Sequence, residues 1–257
     1  MLDAFSLTAL TFLIAFINNS MGGGYGTLSG PILLTFGYDP KDVVPAILFS
    51  ETVSEFWGGA WHMRYRNVNF RVFLITLLGS VVGIVAATFL VGVYLPATAT
   101  RLYISLLALG MGLFVIVKSF RWVEKRSGEQ NPSPWKVALL GGVCGFNKSS
   151  TGGGYGPLST SGYILLGMGP AHAAATTIFA KATSCLIAIL LYAGLSGGLD
   201  WTLATLMSVG ALVAAPVSSW LNNYLKLNIE ATFHGRFIGV VMTVLGAYTL
   251  LRQLGFL

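Results

Sequence analysis

The sequence predicts an all-α integral membrane protein made of two inverted repeats, each a re-entrant or broken glycine-rich hairpin followed by three transmembrane helices. Three observations carry this. Hydrophobic residues make up 54% of the 257 and charged residues only 9%, with a mean hydropathy of +0.74, a balance that belongs in lipid and not in water. Apolar stretches near the ~20 residues needed to cross a bilayer follow one another along the chain. The stretch GGGYGTLS at Gly22–Ser29 returns as GGGYGPLS at Gly152–Ser159, an offset of 130 residues (Gly22 to Gly152).

The elements follow in order. Phe5–Ile17 is apolar, with no basic residue before it and no small-residue cleavage site after it, so it reads as a retained membrane element and not as a signal peptide. Next comes the first glycine motif, Asn18 to Ser29, which with its flanks forms a hairpin over about Phe5–Gly37. Spans are expected at about Val43–Trp61, Val72–Leu95 and Leu102–Val117. The charged, proline-bearing stretch KSFRWVEKRSGEQNPSPWK, Lys118 to Lys136, breaks the chain at its middle. A second hairpin, about Trp135–Gly167, precedes spans at Ala173–Ala193, Trp201–Leu221 and Phe237–Leu251. The segments are apolar all round, whereas a transmembrane barrel requires alternation.

The repeat extends past the octapeptide. The same offset sets Gly37 on Gly167, Pro40 on Pro170, Phe49 on Phe179 and Ser54 on Ser184. The chain therefore divides into a first membrane repeat at 1–120, a cytoplasmic linker at 121–134 and a second repeat at 135–257. Basic residues cluster in His62–Arg71, Lys118–Lys136 and Asn222–Arg236, while Gly194–Asp200 holds none, which makes the first three cytoplasmic and the last external. Eight complete crossings would put Gly194–Asp200 on the same side as Lys118–Lys136. Two re-entrant hairpins from opposite faces, each followed by three spans, remove the conflict and invert the second half, as in many secondary transporters. Arg101, beside the external turn Pro96–Thr100, is the one basic residue against this arrangement.

Glycine triplets in apolar sequence serve close helix packing or a broken helix. Gly79-xxx-Gly83 and Gly235-xxx-Gly239 fit packing. Three consecutive glycines, each costing about 1 kcal/mol against alanine, fit a break. A helix broken within the bilayer frees backbone N–H groups, and a half-helix N-terminus adds positive potential, so the motifs suit an anion. The candidate binding residues are Asn18, Asn19, Ser20, Gly22, Gly23, Gly24 and Tyr25 in the first motif. In the second they are Asn147, Lys148, Ser149, Ser150, Thr151, Gly152, Gly153, Gly154 and Tyr155. The competing reading is that these polar groups only cap the break.

Three sets of charges stand in apolar surroundings. Lys148 matches Asn18 in the first half and is either a fixed counter-charge for substrate or a lysine that snorkels to the surface. Glu51 matches Lys181, and Glu55 lies one helical turn beyond Glu51. The two matched charges either form a buried ion pair or leave one carboxylate to titrate and couple transport to protons. The run GVCGFNKSS comes within one residue of a phosphate-binding loop but lacks the preceding strand and a soluble domain, so nucleotide hydrolysis is not expected. Cys144 and Cys185 have neither metal-ligand nor disulfide spacing and are assigned to packing.

With Gly22–Gly26 and Gly152–Gly156 as its most specific part, the whole chain resembles the TauE/SafE family of membrane transporters, often called sulfite exporters. The resemblance implies secondary transport, without enzymatic activity, of a small sulfur-containing anion such as sulfite, sulfoacetate or a related sulfonate. It implies a multi-pass protein of the cell (inner, cytoplasmic) membrane with lipid and an anion as partners. No cofactor, metal or nucleic acid is expected; the net charge of +6 lies in the loops between spans. A passive anion channel and a non-transporting membrane subunit of a sulfur-metabolism complex remain as alternatives.

Overall fold

The computed structural model describes residues 2–21, 24–64, 68–120, 132–195, 199–225 and 231–256. Among them there are ten α-helices and no strands. In chain order they are α1 (Ala4–Met21), α2 (Tyr25–Thr35), α3 (Pro40–Arg64), α4 (Phe70–Phe89), α5 (Ala97–Phe120), α6 (Pro134–Thr151), α7 (Tyr155–Leu165), α8 (Pro170–Leu195), α9 (Trp201–Leu225) and α10 (Ala231–Gln253). A π-helical turn, Leu90–Tyr94, closes α4. The repeat read from the sequence returns in these boundaries: α1 and α6 differ by the same 130 residues at both ends, as do α2 and α7.

Local chemistry sets where the helices start. Asn69 caps α4 by accepting from the Val72 N–H at 3.1 Å. Asp200 caps α9 by accepting from Leu203 at 3.0 Å, and Pro134 occupies the first turn of α6, where its missing N–H costs nothing. Both short helices end alike. Tyr38 N–H donates to the Leu33 carbonyl and, 130 residues later, Met168 N–H to that of Tyr163, a closure that satisfies carbonyls the helix end leaves free.

Among the described residues, four helical stretches are long and apolar enough to cross a membrane: Phe70–Phe89, Ala97–Val117, His172–Leu195 and Trp201–Ser218. Their outward faces are apolar. Leu78 is 71% exposed and Val82 70%, which fits contact with lipid. α3 is 25 residues long, about 37 Å at 1.5 Å per residue, and carries Glu51 and Glu55.

α1 and α2 fold back on each other. α1 extends about 27 Å and α2 about 16 Å, and the Tyr38 hydroxyl after α2 donates to the Leu2 carbonyl before α1 at 3.4 Å. The open ends of this hairpin thus lie together. α6 and α7 do the same, since Val137 near the start of α6 packs with Tyr163 and Met168 at the end of α7.

Helix pairing is reciprocal between the halves: α4 lies along α6 as α9 lies along α1, α3 packs on α8, and α5 on α10. α4 and α6 run in the same direction, with Gly79 against Ala138, Gly83 against Gly142, and Thr88 hydrogen-bonded to Ser149 at 2.6 Å. α5 and α10 run antiparallel, Leu109 meeting Gly246 and Ile116 meeting Gly239. In lipid no hydrophobic force separates helix from solvent, so backbone approach at small residues is what holds such pairs. Gly79, Gly83 and Gly239 have the packing role expected of them; the surroundings of Gly235 lie outside the described residues.

Candidate functional site

The tips of the two hairpins touch. Gly26 in the first turn of α2 lies against the Gly152 carbonyl so closely that a Cβ would overlap the oxygen, and a Cβ on Gly153 would stand 2.8 Å from the backbone of Thr27. The Gly154 N–H donates to the Thr27 hydroxyl at 2.9 Å, joining one motif to the other. Gly152 ends α6 with φ +72, the left-handed conformation that an L side chain resists. Gly22 and Gly23, and the side chains of Asn19 and Ser20, lie outside the described residues.

Three of the expected backbone donors at the breaks, those of Tyr25, Gly153 and Gly154, have protein partners. Tyr25 N–H donates to Asn18 Oδ1 at 3.0 Å, and Gly153 N–H to the Thr151 hydroxyl at 3.1 Å. Asn18 thereby caps α2 across the break that Gly24 makes. The tyrosines also turn inward: Tyr25 is hydrogen-bonded to Ser50 at 2.9 Å, and Tyr155 to Ser80 at 3.1 Å, with Ser184 donating to it at 3.4 Å. Asn147 accepts from the Tyr103 hydroxyl at 2.6 Å. Ser150 and Thr151 donate to helix carbonyls one turn back, leaving their oxygens with acceptor capacity only. The Ser149 carbonyl accepts from Tyr192 at 2.8 Å.

Lys148 does not snorkel. It is 1% exposed, its Nζ donates to the Gly152 carbonyl at 2.5 Å, and it forms an ion pair with Glu51 Oε2. Its charge sits in the last turn of α6, where the helix dipole favours a cation. Matched positions in the repeat therefore do opposite work: Asn18 accepts from a backbone N–H at its break and Lys148 donates to a backbone carbonyl at the other.

The expected Glu51–Lys181 pair is present at 3.7 Å, but it is the longer of two contacts for each residue. Glu51 is closer to Lys148, and Lys181 pairs with Glu55. α3, α6 and α8 thus bring two carboxylates and two ammonium groups into one buried cluster of zero net charge. The Cys185 thiol adds a donor to Glu51 Oε2 at 3.7 Å. No group of three or more potential metal ligands occurs among the described residues.

Sequence reasoning missed Thr27, Tyr103, Tyr192 and Cys185 as partners of this site. For Thr27 a signal existed. It is the single position at which the two octapeptides differ, and Pro157, which replaces it, has no hydroxyl to accept a hydrogen bond from the opposite motif. The others are ordinary apolar-segment residues until helix packing brings them to the motifs.

Apolar helices of spanning length around a buried polar junction define a multi-pass cell-membrane protein of the transporter class. The sequence profile of the sulfite exporter TauE/SafE family matches residues 7–249, and the chain belongs to that family. It is 29% identical over 235 residues to the probable membrane transporter protein YtnM of Bacillus subtilis (strain 168), an alignment covering 88% of this chain and 74% of the relative. No solved structure matches the chain.

Proposed function

We propose that the protein is a secondary transporter of small sulfur-containing anions, sulfite, sulfoacetate or a related organosulfonate, and that substrate binds where the two glycine motifs meet. The observation that carries this reading is the buried Lys148 ammonium at the junction of the hairpins, bonded to the Gly152 carbonyl. A lysine withdrawn from both water and lipid is costly and marks a pathway or a pair. Here it joins the motif to a charge cluster. Asn147, Ser149, Ser150 and Thr151 are buried in the same turn, with the Ser150 and Thr151 hydroxyl protons already given to helix carbonyls.

The halves 1–120 and 135–257, joined by 121–134, are inverted relative to each other in this reading, with the hairpins re-entrant from opposite membrane faces. Reciprocal helix pairing and the paired open ends of each hairpin support it. Glu51 is the proton-coupling carboxylate, Glu55 and Lys181 its neighbours, and no enzymatic step or cofactor is involved. Motion of one half against the other exposes the junction alternately.

Purified protein reconstituted into liposomes tests the reading. Sulfite, sulfoacetate, taurine and thiosulfate are supplied with and without an imposed pH gradient. Accumulation of one of them driven by the gradient is expected. Flux indifferent to the gradient would favour a passive anion channel, and liposomes inert to all four would favour a non-transporting subunit.

A further inference from the structure

We propose that Glu51 is a built-in substitute for the substrate: its carboxylate occupies Lys148 when the carrier is empty, and an anion takes its place only when Glu51 accepts a proton. The inference rests on the transporter reading above and fixes the charge of the substrate and the stoichiometry of coupling.

Charge counting within the cluster leads there. Lys148 and Lys181 face Glu51 and Glu55, so the buried group sums to zero. An anion arriving at Lys148 would make the sum minus one, and a proton arriving alone on Glu51 would make it plus one. Each leaves an uncompensated charge in a medium that penalises it strongly. A monovalent anion and one proton together restore zero. The proton comes from solution and ends on a Glu51 carboxyl oxygen; the ion pair to Lys148 is broken and replaced by one to the anion. No other bond changes.

The surroundings of Glu51 allow this exchange. From α6 it faces Lys148, from α8 Lys181 and the Cys185 thiol, and from its own helix Glu55. The described parts of α2 and α9, which also pack on α3, contain no Asp, Glu, Lys, Arg or His within their helices. Arg101 at the start of α5 is paired with Asp39. Lys181 keeps Glu55 as its partner in both states, so only one cation is released per proton. Monoanions are thus the favoured substrates, and a dianion needs a second carboxylate, Glu55, to be protonated as well. Both empty and loaded carriers are neutral at the cluster, and transport moves no net charge through it.

Proton counting decides the matter. Wild-type protein in detergent, in weak buffer with a pH indicator, is titrated with methanesulfonate, isethionate, sulfoacetate and, in acidic buffer, sulfite as hydrogensulfite. One proton taken up per monoanion bound is expected, and two per sulfoacetate, which is a dianion. Apparent affinity falls about tenfold per pH unit wherever one proton is taken up per anion bound. Glu51→Gln removes both the uptake and the pH dependence while still binding. Binding by wild type without proton uptake, or unchanged uptake in Glu51→Gln, overturns the inference and leaves the transporter reading standing. Failure of wild type to bind any of these anions sinks the anion-transporter reading itself. Should Glu51→Gln not fold, the wild-type stoichiometry decides alone.

Discussion

Gly26 and Gly156 occupy the same place in the repeated motif, yet replacing each with alanine has opposite consequences. At Gly26 the new methyl overlaps the Gly152 carbonyl oxygen and stands 2.7 Å from its carbon, where ordinary contact begins at 3.4 Å. Both neighbours are backbone and cannot rotate away. The hairpins must separate by well over ~0.7 Å, since that much restores only the carbon contact and the carbonyl oxygen lies nearer still. That strains the 2.9 Å hydrogen bond from Gly154 N–H to Thr27. Overpacking costs about 1–3 kcal/mol and a lost hydrogen bond about 1 kcal/mol, so Gly26→Ala is destabilised by about 2–4 kcal/mol. At Gly156 a Cβ meets nothing within 4 Å. Alanine in the first turn of α7 also has the better helix propensity, so Gly156→Ala is neutral or stabilised by up to about 1 kcal/mol. Thermal unfolding of the two variants in detergent, followed by loss of monodispersity on size-exclusion chromatography, measures the difference. Equal destabilisation, or a harmless Gly26→Ala, would refute the backbone contact between the motifs.

Further outcomes follow from the charge cluster and the ends of the helices. Lys148→Met leaves Glu51 buried with Lys181 and the Cys185 thiol, each at 3.7 Å, and is destabilised by about 3–5 kcal/mol, whereas Lys148→Met with Glu51→Gln recovers most of it; unfolding midpoints that simply add would show the pair to be uncoupled. Asp39→Asn breaks the partly exposed ion pair with Arg101 at 3.7 Å and lowers stability by less than about 1 kcal/mol; a larger loss in the same melting assay contradicts a surface role. Single cysteines at Ser127 and Ser196, both outside the described residues, in a background without Cys144 and Cys185, label from opposite sides of intact cells, with Ser196 external. Labelling of both from one side rules out the inverted arrangement.

The sequence by itself determined the membrane environment, the helical class, the duplication and its offset, because each is a local or periodic property: composition, segment length, and a string of residues repeated. It determined the helix breaks for the same reason, since consecutive glycines weaken a helix wherever they occur. It also marked Glu51, Glu55, Lys148 and Lys181, because a charge in apolar sequence stands out without any knowledge of its neighbours. Which charge meets which was beyond it. The offset pairs Glu51 with Lys181, but proximity across three helices gives Lys148 to Glu51 and Lys181 to Glu55. Equivalent glycines became unequal in the same way, Gly26 pressed against the opposite motif and Gly156 facing open space. The reason is that a repeat in sequence fixes equal local conformations, whereas side-chain partners and steric room depend on residues more than a hundred positions away, and there the halves differ: Asn18 for Lys148, Thr27 for Pro157, Glu51 for Lys181.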